Sequence, residues 1–220
     1  MKQHPHVHIS PGAQVHESVE FGPFSVVHSG VILEEGVKIG SHAILGKSPS
    51  SGRNQTALQD PTGVTIIRAN TIVGDRVTVY SGVEIGAHCY LADHCLIREN
   101  VRLAEDVVIG TGAVISFNAS IERGVKVMTQ SNIAGNMRIG EGTFVGVHVT
   151  CVTDNRPFEM KERSQHEGPV IGRKCFIGSN ATLLPGISVT DEVTLAAGSV
   201  ATKSLDSPGA TYIGVPAKKK

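Results

Sequence analysis

The chain has 220 residues, with 20 Lys and Arg balanced by 20 Asp and Glu, a hydrophobic share of 40%, and aromatics at only 4% with no Trp. Apart from the Lys218 to Lys220 tail there is no basic run, so the cationic footprint of a nucleic-acid binder is missing. No apolar run approaches the ~18 residues of a membrane span, and the start of the chain has no charged segment leading into an apolar one; neither nucleic acid nor membrane is expected as a partner, and the expected location is cytoplasmic.

In chain order, His4, His6 and His8 precede a ladder of large apolar residues that recurs every sixth position: Ile9, Val15, Phe21, Val27, Leu33, Ile39, Leu45. Residues 46–64, rich in Ser, Gly, Gln and Pro, break the register and read as an extruded loop. The ladder resumes at Ile67 and runs through Val73, Val79, Ile85, Leu91, Ile97, Leu103, Ile109, Ile115, Ile121, Val127, Ile133, Ile139 and Val145 to Cys151. Residues 152–170 break it again, and Ile171, Ile177, Leu183, Val189 and Leu195 follow. An amphipathic helix recurs near 3.6 and a lone strand alternates by two, so a sustained period of six belongs to neither. It is the signature of a parallel β-helix, an all-β prism in which three hexads make one coil and coils stack at about 4.8 Å. The expected organisation is one β-helix domain over 1–205, with two extruded loops and an off-register C-terminal cap over 206–220.

A small or modest residue four places after each ladder residue, such as Val77, Cys89 or Ala113, also points into this narrow prism. Cys89, Cys95 and Cys175 fall there and Cys151 falls on the ladder, so the four cysteines read as buried reduced thiols, with no metal. Counting hexads from Ile9 puts both loops at the same edge of the prism, five coils apart, or about 24 Å. Loops on a rigid scaffold are where function concentrates. The same count aligns His42, Arg76, His94, Gly112, Gln130, His148 and Asn180 in one polar column. His148, one hexad before the second loop, is the candidate base, expected to be partly sheltered beside a cleft.

The ladder, with the endings Ala197-Gly198-Ser199-Val200-Ala201-Thr202-Lys203 and Gly214-Val215-Pro216-Ala217-Lys218, resembles the left-handed β-helix acyltransferases over nearly the whole chain. That resemblance implies a left-handed coil, a homotrimer with active sites between neighbouring prisms, and acetyl-CoA or another acyl-CoA along the C-terminal coils. The runs Val125 to Asn132, Gly142 to Gly146, Thr153-Asp154-Asn155-Arg156-Pro157 and Ile177 to Gly186 are similar to the branch that N-acetylates nucleotide-linked amino sugars, some of which carry Asn where this chain has Gln130.

On this reading His148 relays the amine's proton and Gln130 holds the acceptor, with Asp154, Asn155, Arg156, Asn132 and His94 binding the sugar or nucleotide. Gly146, Gly178, Ala181, Ala196, Ala197, Gly198, Lys203 and Lys218 face the coenzyme, and a backbone N–H near Gly146 or Ala181 serves the oxyanion. O-acylation of a sugar or antibiotic, or acylation of an amino-acid precursor, is the main rival. A hydratase resembling the γ-class carbonic anhydrases needs His-x4-His, which His88 and His94 miss by one residue. A non-catalytic scaffold is the remaining reading.

Overall fold

The computed structural model describes residues 6–50, 63–155 and 166–220, and these form a left-handed parallel β-helix. Its first face has ten strands, from His8–Ile9 to Val200–Ala201; the second has nine, from Gln14–Val15 to Ser188–Val189. The third face has eleven, beginning at Glu20–Phe21 and ending with Thr194–Leu195, Thr211–Ile213 and Lys218–Lys219. Neighbouring strands in a face are one coil apart, as in Tyr90 with Val108 and Leu91 with Ile109. Among the described residues no helix is long and apolar enough to cross a membrane.

Each hexad forms a two-residue strand and a corner for steric reasons. The ladder residue points inward, and Ile67, Ile85, Ile97, Ile115 and Leu183 are fully buried. The residue after it lies beneath the next coil's backbone; on Gly74 or Gly110 a Cβ would stand 2.8 or 2.5 Å from the backbone nitrogen of Asp93 or Thr129. The residue three places after the ladder position turns the chain with a left-handed backbone, at φ 59° in Asn70, 61° in His94 and 57° in Asn100. Asn, Asp and Gly tolerate that region best, and other residues there cost about 1–2 kcal/mol.

Both interrupted segments leave from the first face and return on the second, after Leu45 and Cys151 and before Thr65 and Val170. They thus share the edge between those faces, with five coil steps separating Leu45 from Cys151. Their central residues, Arg156 included, lie outside the described residues, as does His4. The segment 206–220 is built onto the last coil more closely than its broken register suggested. Leu205 bridges to Val189, Tyr212 pairs with Leu195 and is buried, and Lys218–Lys219 folds back antiparallel on Thr211–Ile213.

Where the inward residue carries a hydroxyl, it ties successive coils together. Thr71 donates to the Gly86 carbonyl at 2.8 Å and accepts from the Cys89 N–H at 3.1 Å. Ser25, Ser131 and Thr143 make the same two bonds. Replacing Thr71 by Val keeps the volume and leaves both backbone groups without that partner, which should cost about 1–3 kcal/mol; Thr71→Ser should recover most of it. Urea unfolding of the two variants measures the difference, and equal midpoints would refute the bridge.

All four cysteines are free and buried. Burial pushes the Cys89 thiol up to about 11 and those of Cys95 and Cys151 to about 12, from 9.0, and it raises Cys175 in the same direction. Above pH 9 the unfolded chain therefore loses these protons before the folded one, and stability falls as pH rises from there toward the folded values. Urea midpoints should drop between about pH 9 and pH 11, and less so in Cys151→Val. Thiol reagents at neutral pH should find no reactive cysteine until the protein unfolds; rapid modification of the native chain would contradict the burial.

Candidate active site

The column identified in the sequence is the edge between the third and first faces, and its order follows from backbone geometry. His42, Arg76, His94, Gln130, His148 and Asn180 all have φ between 55° and 61°. Side chains on such corners project away from the prism. His148 is accordingly exposed in the single chain, where the sequence had suggested a sheltered imidazole.

One coil brings His148 and Gln130 into direct contact, Nε2 of the ring against Oε1 of the amide. An amide oxygen only accepts, so this contact is a hydrogen bond when the ring carries a proton on Nε2. The corner is braced from inside. Buried Ser131, next to Gln130, donates to the Gly146 carbonyl at 2.6 Å and accepts from the Val149 N–H at 3.0 Å, one bond on each side of His148. Asn180 follows in the next coil, anchored through its N–H to the Val147 carbonyl at 2.9 Å, so His148 stands between two carboxamides. His94 is exposed in the same column but is separated from Gln130 by the coil that carries Gly112. His88 turns a different edge, between the second and third faces, so it does not join His94.

The first face changes character beside this corner. Its outward residues are Val26, Ile44, Thr78, Leu96 and Val114 in the early coils, then Asn132, Thr150 and Thr182, which pair in register. Asp154 and Asn155 begin the second loop at the opposite edge of that face. The structure therefore groups Gln130 with His148, lays Asn132 alongside, and puts the loop residues across the width of one face. Thr150 and Thr182 were missed in the sequence; the signal was the position just before each ladder residue, where a polar residue replaces an apolar one.

The residues expected to face a coenzyme divide into two sets. A Cβ on Gly146 would stand 2.7 Å from the Ser179 nitrogen, and one on Gly178 2.4 Å from that of Ala197, so these glycines are required by the chain's own next coil. Ala181 is fully buried inside the prism. The Gly146 N–H donates to the Ile177 carbonyl at 2.8 Å and the Ala181 N–H to that of Gly178 at 3.2 Å, so both amides suggested for an oxyanion are engaged in the coil. Ala197, Gly198, Lys203 and Lys218 are exposed at the C-terminal end and Ala196 is half-buried. Around Gly198 no atom stands within 4 Å of where a Cβ would be. Among the described residues no three His, Cys, Asp or Glu side chains converge as metal ligands would.

Two stretches match family profiles: residues 65–99 match "Bacterial transferase hexapeptide (six repeats)" and residues 170–203 match "Hexapeptide repeat of succinyl-transferase". The chain is 42% identical over 72 residues to the "Bifunctional protein GlmU" of Anaplasma marginale (strain Florida), a match covering 32% of this chain and 15% of that protein. It is 37% identical over 98 residues to the protein of the same name from Dinoroseobacter shibae, covering 44% of this chain and 20% of that one. The matched stretches thus span a small part of the length of these curated relatives. The solved structure of a UDP-N-acetylglucosamine acyltransferase from Campylobacter jejuni aligns over 99% of this chain and 73% of its own, with a TM-score of 0.53 at 13% identity, a likeness of fold. The chain thus carries two stretches that match hexapeptide-repeat transferase profiles, on a left-handed β-helix fold.

Proposed function

We propose that the chain is an acyl-CoA-dependent N-acyltransferase, acetylating the amine of a nucleotide-linked amino sugar as a cytoplasmic homotrimer. The observation that carries this reading is the His148–Gln130 pair at the edge of a polar strip made by Asn132, Thr150 and Thr182. Acyl transfer needs a neutral amine held about 3 to 3.5 Å from the thioester carbon. Gln130 fixes the ring tautomer, and Nδ1 of His148 takes the amine's proton as the C–N bond forms. The C–S bond then breaks and the departing thiolate receives that proton. With the Gly146 and Ala181 amides engaged, the side-chain N–H groups of Gln130 and Asn180 are the donors for the developing oxyanion.

The strip and the Asp154 to Arg156 segment hold sugar and nucleotide. The open surface at Ala197 and Gly198, with Lys203 and Lys218, receives the coenzyme and its phosphates. A trimer brings a neighbouring prism against His148 and supplies the shelter that a single chain does not. The outward third face, with Ile72, Tyr90 and Phe176 between 43% and 47% exposed, offers apolar area for that contact. The outward apolar residues Val26, Ile32, Ile44 and Ile72 are divided among all three faces. Light scattering should return the mass of three chains; a monomer would remove the shelter and the proposal's geometry.

A positioned base contributes about 10² to 10⁴ in rate, so His148→Ala in an intact assembly should lower kcat at least a hundredfold. A kcat within a few-fold of the parent from about pH 6 to pH 9 would show that the proton leaves through substrate or solvent. Joint replacement of Lys203 and Lys218 by Ala should raise KM for acyl-CoA, and an unchanged KM would place the coenzyme elsewhere.

A further inference from the structure

The C-terminal end of the prism carries surface that the acyl-transfer reading leaves unused. Among the described residues the two most exposed large apolar side chains are Val215 at 72% and Ile213 at 53%, and both lie there. From Leu195 to Lys220 four lysines, Lys203, Lys218, Lys219 and Lys220, stand against a single acid, Asp206, in a chain of no net charge. All four are exposed, and none is in an ion pair among the described residues. Asp206 is engaged by the cap itself, accepting from the Tyr212 hydroxyl at 3.3 Å.

Hydrogen bonds hold these side chains out. The Gly214 N–H donates to Ser199 Oγ at 3.0 Å, the Val200 N–H to the Gly214 carbonyl at 3.1 Å and the Ala217 N–H to the Val200 carbonyl at 2.8 Å, so the turn bearing Val215 is tied down on both sides of it. Lys218–Lys219 is the last strand of the third face, and beyond it the Lys220 N–H donates to the Thr211 carbonyl at 2.9 Å. Ile213 pairs in register with Lys218, so aliphatic and cationic side chains stand side by side on the terminal layer.

Lysine on a terminal strand deters pairing with other sheets, but that role gives no reason to leave the neighbouring isoleucine and valine in water. Nucleic acid would use the charges together with aromatic stacking, and the one aromatic residue of this end, Tyr212, is buried. A partner that uses both groups is an anionic bilayer, whose headgroups attract lysine and whose acyl boundary accepts aliphatic side chains. We infer that this end of the prism docks on an anionic phospholipid surface, with Ile213 and Val215 at the acyl boundary and Lys219 and Lys220 among the headgroups. The lack of an apolar run long enough to span a membrane excludes crossing it and does not bear on lying against it. The contact is independent of acyl transfer, for which Lys203 and Lys218 are the proposed coenzyme lysines. In any cyclic assembly all copies turn this end to the same side, and their contacts add.

The test is co-sedimentation of the full chain with mixed phosphatidylserine and phosphatidylcholine vesicles and, separately, with phosphatidylcholine alone. The mixed vesicles should bind it and the neutral ones should not, and binding should fall as salt is raised. A lysine near an anionic surface is worth about fivefold in partition, so Lys219→Gln with Lys220→Gln should weaken binding about tenfold or more. Val215→Ser should weaken it at unchanged charge, and both variants, altered only at exposed positions, should keep the parent's melting temperature. His148→Ala should bind as the parent does, so this inference and the acyl-transfer reading fail separately. Absence of binding to the mixed vesicles, equal binding to the neutral ones, or an unchanged partition in either variant would each overturn the inference. Equally tight binding of duplex DNA would make the patch a general polyanion site, and loss of vesicle binding in saturating coenzyme A would assign the lysines to the coenzyme; either result overturns it as well.

Discussion

Everything in this structure depends on how closely one coil's backbone lies on the next. At about 4.8 Å between coils, nearly every corner turns through one residue with a left-handed backbone, and the residue after each ladder position must often be small enough to lie under the following coil. Gly74, Gly110, Gly146 and Gly178 meet the second demand. Asn70, His94, Gln130 and His148 meet the first, at a cost that glycine would avoid. The same geometry that sets the period thus lines up side chains from distant hexads in straight columns. Residues eighteen apart become neighbours, and His148 meets Gln130 without any long-range tertiary arrangement.

The interior adds specificity to this backbone pattern. Stacked Ile, Leu and Val supply burial that grows coil by coil, so no single residue carries the fold. Inward hydroxyls act differently, because each satisfies one donor and one acceptor in the next coil. Ser131 illustrates the consequence for function, since its two bonds flank His148 and fix the turn from which the imidazole projects. Buried thiols occupy equivalent positions with weaker contacts, as Cys89 does toward the Ala104 carbonyl at 3.1 Å.

Much of this was legible in the sequence because the repeat is arithmetic. A period of six gave the ladder, and counting in threes gave the shared edge of the two loops and the column through His148. Counting failed where it was not applied. Val26, Ile32, Ile44 and Ile72 look like one apolar surface until their hexads are assigned to faces, which separates them. Asn100, Asn118 and Asn136, whose amides hydrogen-bond one to the next, stand in a column that was not followed, although their spacing of eighteen is visible. Backbone use is a different matter: that the Gly146 and Ala181 amides are engaged follows from hydrogen bonding between coils, which side-chain identity does not encode.

A prism of this kind has convex faces and exposed corners, and this limits where chemistry can occur. A side chain at a corner projects into solvent, where a charge or proton transfer gains little from a preorganised field. Recognition therefore requires something laid against the prism, either a loop or another prism. The two edges of the first face illustrate the two solutions. At the edge of His148 no loop is inserted, and the imidazole stands exposed. At the opposite edge the loops return at Thr65 and Val170, and the chain bounds its own groove between Val64 and Arg138. The hexad register sets the distance between these edges and insertion of one hexad would rotate everything beyond it onto the next face. The chain can lengthen its loops without disturbing the His148 corner, but it cannot change its repeat count between Leu45 and Cys151 by anything other than whole coils and keep both loops on one edge.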